Sequence, residues 1–164
     1  MTEVRKPFLY SLIAAALASS LVAAIGATLS QVGPWYWGLT KPAWTPPDFA
    51  FGIIWTLVFG LITISGAYAL STAPDNASRN RIIAAFAFNG FLNIVWSLLF
   101  FRMQRPDWAL IEVGPFWLSI VALMWLTARH SRTGTLLLIP YLVWVSVAAF
   151  LNWEVVSMNG PFGG

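Results

Sequence analysis

The sequence predicts an all-α protein: a five-transmembrane-helix bundle with a structured aromatic and proline-rich loop between helices one and two. Three observations predict it. Hydrophobic residues fill 59% of the 164 positions and charged residues 9%, against about 25% charged in an ordinary soluble domain. Five apolar stretches approach or exceed the ~20 residues that cross a bilayer. The segments between them are short and hold the helix breakers and most of the charges. Fifteen charges, nine basic and six acidic, could not cover a soluble shell. A soluble globular enzyme and a disordered chain are both excluded. The length suits one membrane domain over residues 1–164.

The first span covers residues 8–29. Arg5 and Lys6 followed by an apolar run resemble a secretory leader, but a leader's apolar core is only about 7–15 residues long, so a retained span is expected. Ala15, Ser19, Ala23 and Ala27 recur at helical spacing, a stripe that permits close helix packing. The second span covers 49–70 and the third 82–101. The fourth covers 109–128, with Asp107 placed as its N-cap. Glu112 is the only acid well inside a span; it stands one turn from Trp108, near the interface, and reads as structural. The fifth span covers 135–156 and stays free of charge until Glu154.

Orientation follows the basic residues in short loops. Arg5, Lys6, Arg79, Arg81, Arg129 and Arg132 fall on one side, and Lys41, Arg102 and Arg105 on the other. That bias predicts an integral multi-pass protein with its N-terminus inside and its C-terminus outside. The net charge of +3 is spread thinly, which suits loop charges and gives no nucleic-acid surface. Without cysteine there are no disulfides, thiolate metal sites or cysteine nucleophiles. No internal repeat is visible, which argues against inverted-repeat transporters.

Residues 33–47 form the unusual element. Trp35, Tyr36, Trp37 and Trp44 share this segment with Lys41 and four prolines. An interfacial belt accounts for two or three aromatics. Prolines fix φ and remove backbone donors, so the loop should hold a shape. It reads as a lid over a cavity between helices, lined by rings for a flat apolar ligand, with Lys41 available to an acidic tail.

The string Trp35-Tyr36-x-x-Leu39-x-Lys41-Pro42-x-Trp44-x-Pro46-Pro47 resembles the signature loop of the TspO/MBR family. That family holds the bacterial tryptophan-rich sensory proteins and the mitochondrial translocator protein, also called the peripheral benzodiazepine receptor. Gly52-x-x-Trp55 resembles the start of its second helix, and Asn93-x-x-Trp96-x-x-x-Phe100-Phe101 its third. Trp108-Ala109-Leu110 with Glu112 resembles its fourth. Pro140-Tyr141-Leu142-x-Trp144-x-x-x-Ala148-x-x-Leu151-Asn152 resembles its fifth. The likeness runs over residues 31–153.

The resemblance implies a porphyrin or related tetrapyrrole as ligand, haem included, with nothing covalently bound. It places Trp55 and Trp144 on the pocket beneath the first loop. An indole supplies a flat face and one N–H donor. Phe59 lies one turn from Trp55 and extends the wall, and Trp96 is a further wall candidate. Trp35, Tyr36, Lys41 and Trp44 would close the pocket from the loop. Asn93 and Asn152 are polar amides that need partners in hydrocarbon. Ala148 leaves room for rings one turn after Trp144. No His or Cys stands inside the bundle as an axial haem ligand, and no metal-binding cluster is present.

The resemblance also implies a homodimer, through small residues on the third span (Ala87, Gly90) or on the first (Ala16, Ser20, Ala24). The segment Leu151-Asn152-Trp153-Glu154-Val155-Val156 lacks the basic residue of the family's proposed cholesterol motif, so tight cholesterol binding is not expected. The leading functional reading is a membrane receptor for tetrapyrroles. The alternatives are an enzyme degrading the bound porphyrin in light and oxygen, with Trp55 and Trp144 as redox participants, and a tetrapyrrole transporter.

Overall fold

The computed structural model describes residues 5–162, with side chains from residue 7 onward. The side chains of Arg5 and Lys6, counted above for orientation, lie outside the described residues. In chain order the elements are α1 (Arg5–Leu29), α2 (Pro34–Gly38), α3 (Asp48–Ser71), α4 (Asn76–Ser97), a π-helical turn (Leu98–Arg102), α5 (Pro106–Ala128), α6 (Arg132–Leu137) and α7 (Ile139–Asn159). There is no strand among the described residues. Five helical stretches are long and apolar enough to cross a membrane. The first is carried by α1, the second by α3 and the third by α4 with its π turn. The fourth is α5, and the fifth is α6 joined to α7.

Helix ends depart from the sequence reading where capping chemistry extends them. The third span starts at Asn76, not 82, because the Asp75 carboxylate accepts the Ser78 N–H at 2.6 Å and caps the helix. That bond holds the Asp75 carboxyl below the usual carboxylate range. Arg79 donates to the Leu70 carbonyl at 2.8 Å, tying the start of α4 to the end of α3. The fourth span starts at Pro106, which fits the first helical turn because its missing N–H would have no partner there. Asp107 is therefore inside the helix and pairs with Arg105 instead of capping. In the fifth span Pro140 cannot donate to the carbonyl four residues back, and the helix breaks at Leu138.

One apolar core joins four spans. Val58 and Ile62 of α3, Leu92 of α4, Val113, Phe116, Ile120 and Leu123 of α5, and Tyr141, Trp144 and Val145 of α7 pack together. The first span stands outside this core. Ser11 is its only buried residue among those described. It leans on α3 and α4 through small residues. A Cβ on Gly66 would stand 3.6 Å from Ala15, and one on Gly90 only 3.0 Å from Val22. Gly90 is thus occupied by the chain's own first span and is not free for a second copy.

A buried polar chain runs through the core. The Tyr141 hydroxyl donates to Asn89 Oδ1 at 3.0 Å. Asn89 Nδ2 donates to Ser119 Oγ at 2.8 Å, and Ser119 donates to the Phe116 carbonyl at 2.6 Å. Every donor in it has an acceptor, and it links spans five, three and four. Near the lipid face Trp117 donates to Ser146 at 2.8 Å and joins spans four and five again. Replacing Asn89 with Ala leaves the Tyr141 hydroxyl unpaired in hydrocarbon. Thermal unfolding in detergent should show a loss of about 0.6–2 kcal/mol, whereas Leu118→Ala on the exposed face of the fourth span should leave the melting temperature nearly unchanged.

Candidate functional site

Between α1, α3, the third span and α7 lies a cavity of about 670 Å³, closed at one end by the first loop. That volume falls within the ~300–1,000 Å³ typical of small-molecule sites. The wall follows from residue spacing. On α3, Phe51, Trp55 and Phe59 recur four apart and share a face. On α7, Trp144, Ala148 and Asn152 do the same. Asn93 and Trp96 come from α4, and the widened π turn carries both Phe100 and Phe101 to the wall. Ser19, Ala23 and Ala27 of α1 face the space. Their small side chains leave room here instead of bringing two helices into contact.

The aromatic wall is continuous. Trp55 meets Trp144 edge to face at 6.4 Å between ring centroids and tilts against Phe59 at 5.6 Å. Phe51 meets Trp144 edge to face at 5.7 Å. On the opposite side Trp96 stacks on Phe100 at 5.2 Å. Two buried indole donors, Trp96 Nε1 and Trp144 Nε1, have no hydrogen-bond partner among the described residues.

Nine of the eleven sequence-predicted site residues line this space: Tyr36, Lys41, Trp55, Phe59, Asn93, Trp96, Trp144, Ala148 and Asn152. Trp35 and Trp44 do not. Trp35 sits against Phe100 from the loop side at 6.1 Å. Trp44 stacks on Phe150 at 5.7 Å and donates its indole N–H to Glu154 at 2.8 Å. Both rings hold the loop onto the bundle. Two further residues are already committed. Lys41 Nζ donates to the Tyr36 carbonyl at 2.7 Å and to the Leu39 carbonyl at 3.4 Å, and it lies over the Tyr36 ring. One of its three ammonium hydrogens remains for an acidic tail. The Asn152 amide donates to the Pro106 carbonyl at 3.0 Å and accepts from Leu110 N–H at 3.1 Å, bridging the first turn of α5. Its polar atoms serve the backbone.

The spacing of Phe51 and Phe100 would have found them, since each stands four residues from a tryptophan already singled out, Trp55 and Trp96. The wall from α1 carried no polar or aromatic signal. Glu112 does not line the cavity. Its two carboxyl oxygens are buried with no partner among the described residues, so water does not reach them as its position near Trp108 suggested.

The loop is fixed at both ends. Tyr36 is buried against Phe101, with ring centroids 5.8 Å apart. Burial pushes its phenol above the ordinary range, and the Asp48 carboxylate adds to the shift. Thr40 N–H donates to Asn159 Oδ1 and Asn159 Nδ2 returns a bond to the Thr40 carbonyl, each at 2.8 Å.

Five membrane-length helices, a clasped loop and an aromatic cavity beneath it define a multi-pass membrane protein with a small-molecule-sized internal site. Residues 11–158 match the TspO/MBR family, and the chain belongs to it. Its relatives include the "Tryptophan-rich protein TspO" of Chlorobaculum tepidum, 38% identical over 88% of this chain and 94% of that one. The "Tryptophan-rich sensory protein" of Cereibacter sphaeroides is 32% identical over 88% of this chain and 92% of the relative. The "Translocator protein" of Sus scrofa is 32% identical over 79% of this chain and 78% of the relative.

The loop clasp can be probed directly. Trp44→Phe keeps a ring for Phe150 but removes the bond to Glu154. A hydrogen bond of about 0.5–1.5 kcal/mol corresponds to roughly two- to tenfold faster amide exchange in the loop, which exchange mass spectrometry should read at residues 43–45.

Proposed function

We propose that the protein is a membrane receptor that binds porphyrins and related tetrapyrroles in the cavity beneath the first loop. The observation that carries this reading is the pair of aromatic clusters, Trp55 with Trp144 and Trp96 with Phe100, that line one cavity. Flat rings between aromatic faces gain dispersion and stacking over both surfaces. The name "Tryptophan-rich sensory protein" borne by one relative agrees with a receptor role.

The same reading keeps the N-terminus inside and the C-terminus outside, on the basic-residue bias. It also keeps a homodimer. The exposed face of α4 with Ile83, Ala87, Phe88 and Phe91 is the surface a second copy would use, since Gly90 already packs on Val22. A second reading is light-driven degradation of the bound porphyrin. It is favoured by the direct contact of Trp55 with Trp144, two oxidisable rings at one wall.

Titration of the purified protein with protoporphyrin, read by absorbance in the dark, tests the binding. Trp55→Ala and Trp144→Ala should each weaken it by about 1–3 kcal/mol, the scale for an aromatic platform under a flat ring. Trp108→Ala should change nothing, because that ring is exposed and packs under Arg105. Equal binding by all three variants would remove the cavity as the site. Illumination of the same samples in air separates the two readings: a spectrum that bleaches with the protein, and not with Trp55→Phe or Trp144→Phe, makes it an enzyme. For topology, cysteines introduced at 45 and 76 should be labelled from opposite faces of the membrane.

A further inference from the structure

The loop blocks the obvious way in. Its far end is clasped to the fifth span by the reciprocal Thr40–Asn159 pair and by Trp44 on Glu154. The cavity nevertheless reaches the surface elsewhere. Its wall residues on the third and fifth spans are buried or half-buried. The exposed wall residues are Val32 and Asp48 beside the loop, and, along the spans, Ser20 and Ala27 on the first and Gly52, Thr56 and Gly60 on the second.

We propose that the ligand enters and leaves sideways from the bilayer, through an opening between the first and second spans, while the loop stays shut. Four observations support the route. Gly52 and Gly60 face open space: a Cβ at either would meet nothing within 4 Å. A shallow groove on the outer side of α3, lined by Phe49, Ile53 and Leu57, runs into the cavity through the shared Gly52 and Thr56. The Thr56 hydroxyl donates to the Gly52 carbonyl at 2.7 Å, so the edge offers no unpaired donor to hydrocarbon. The opening leads to the aromatic wall, where Trp55 meets Trp144 edge to face.

The occupant of this route is a flat, lipid-soluble ring molecule dissolved in the membrane, and the inference rests on the receptor reading above. The chain lacks cysteine, which makes the test clean. Two variants are compared by stopped-flow quenching of tryptophan fluorescence with protoporphyrin in vesicles. Thr40→Cys with Asn159→Cys locks the loop by a disulfide. Gly52→Cys is modified with a bulky disulfide-forming reagent and later released with reductant. The locked loop should associate within about twofold of the parent, and the blocked Gly52 variant at least about tenfold more slowly. Recovery after reduction shows that the fold was intact. Slow association with the loop locked, together with the parent rate at blocked Gly52, would overturn the lateral route and place entry under the loop. A parent that quenches with no porphyrin at all would fail the receptor reading itself, and the route with it.

Discussion

In hydrocarbon no water is available to satisfy a stray polar group, so a bond made between buried polar side chains is hard to replace. Here that constraint concentrates on one chain of bonds, from Tyr141 to Asn89 to Ser119 to the Phe116 carbonyl. It ties the fifth, third and fourth spans at their buried faces. The apolar core forms around it, and Val58 and Ile62 bring the second span into the same packing. The first span has no comparable anchor. It contributes a face of small residues and rests on the outside.

The cavity is the consequence of this asymmetry. Where the first span meets a small residue on its neighbour, the helices close, as at Gly66 and Gly90. Where it passes the aromatic face of the second span, its own small side chains cannot fill the gap. Trp55, Trp144 and Trp96 then wall a space that the bundle has no atoms to occupy. The loop covers one end and is held by side chains from the end of the fifth span. Glu154 accepts from the Trp44 indole and Asn159 pairs with the Thr40 backbone at the boundary of the bundle. The result is an aromatic wall on one side and a helix of small residues on the other.

Much of this could be read from residue order. Apolar length fixes the five spans, and rings four residues apart on α3 and α7 had to share a face. The ends of the spans were less legible, because Asp75 as a cap and Pro106 as a first helical residue each shift a boundary by several positions. Trp44 was placed in the pocket because a ring in a stiff loop above a cavity can turn either way. Only the position of Glu154 and Phe150, far along the chain, decides that it turns outward. Asn152 was assigned to a ligand for a similar reason. Its partners are two backbone groups of another helix, which no spacing within α7 can name. The stripe Ser19, Ala23, Ala27 was visible, but small residues at helical spacing look the same whether they face a helix or an empty space.

The measurement that bears most directly on this account is a crystal structure of the protein with protoporphyrin bound. The ring is expected within the cavity, packed against the Trp55 and Trp144 cluster and the Trp96 and Phe100 cluster. A porphyrin seated on the lipid-facing rings or between two copies of the chain, with the cavity left empty, would contradict it.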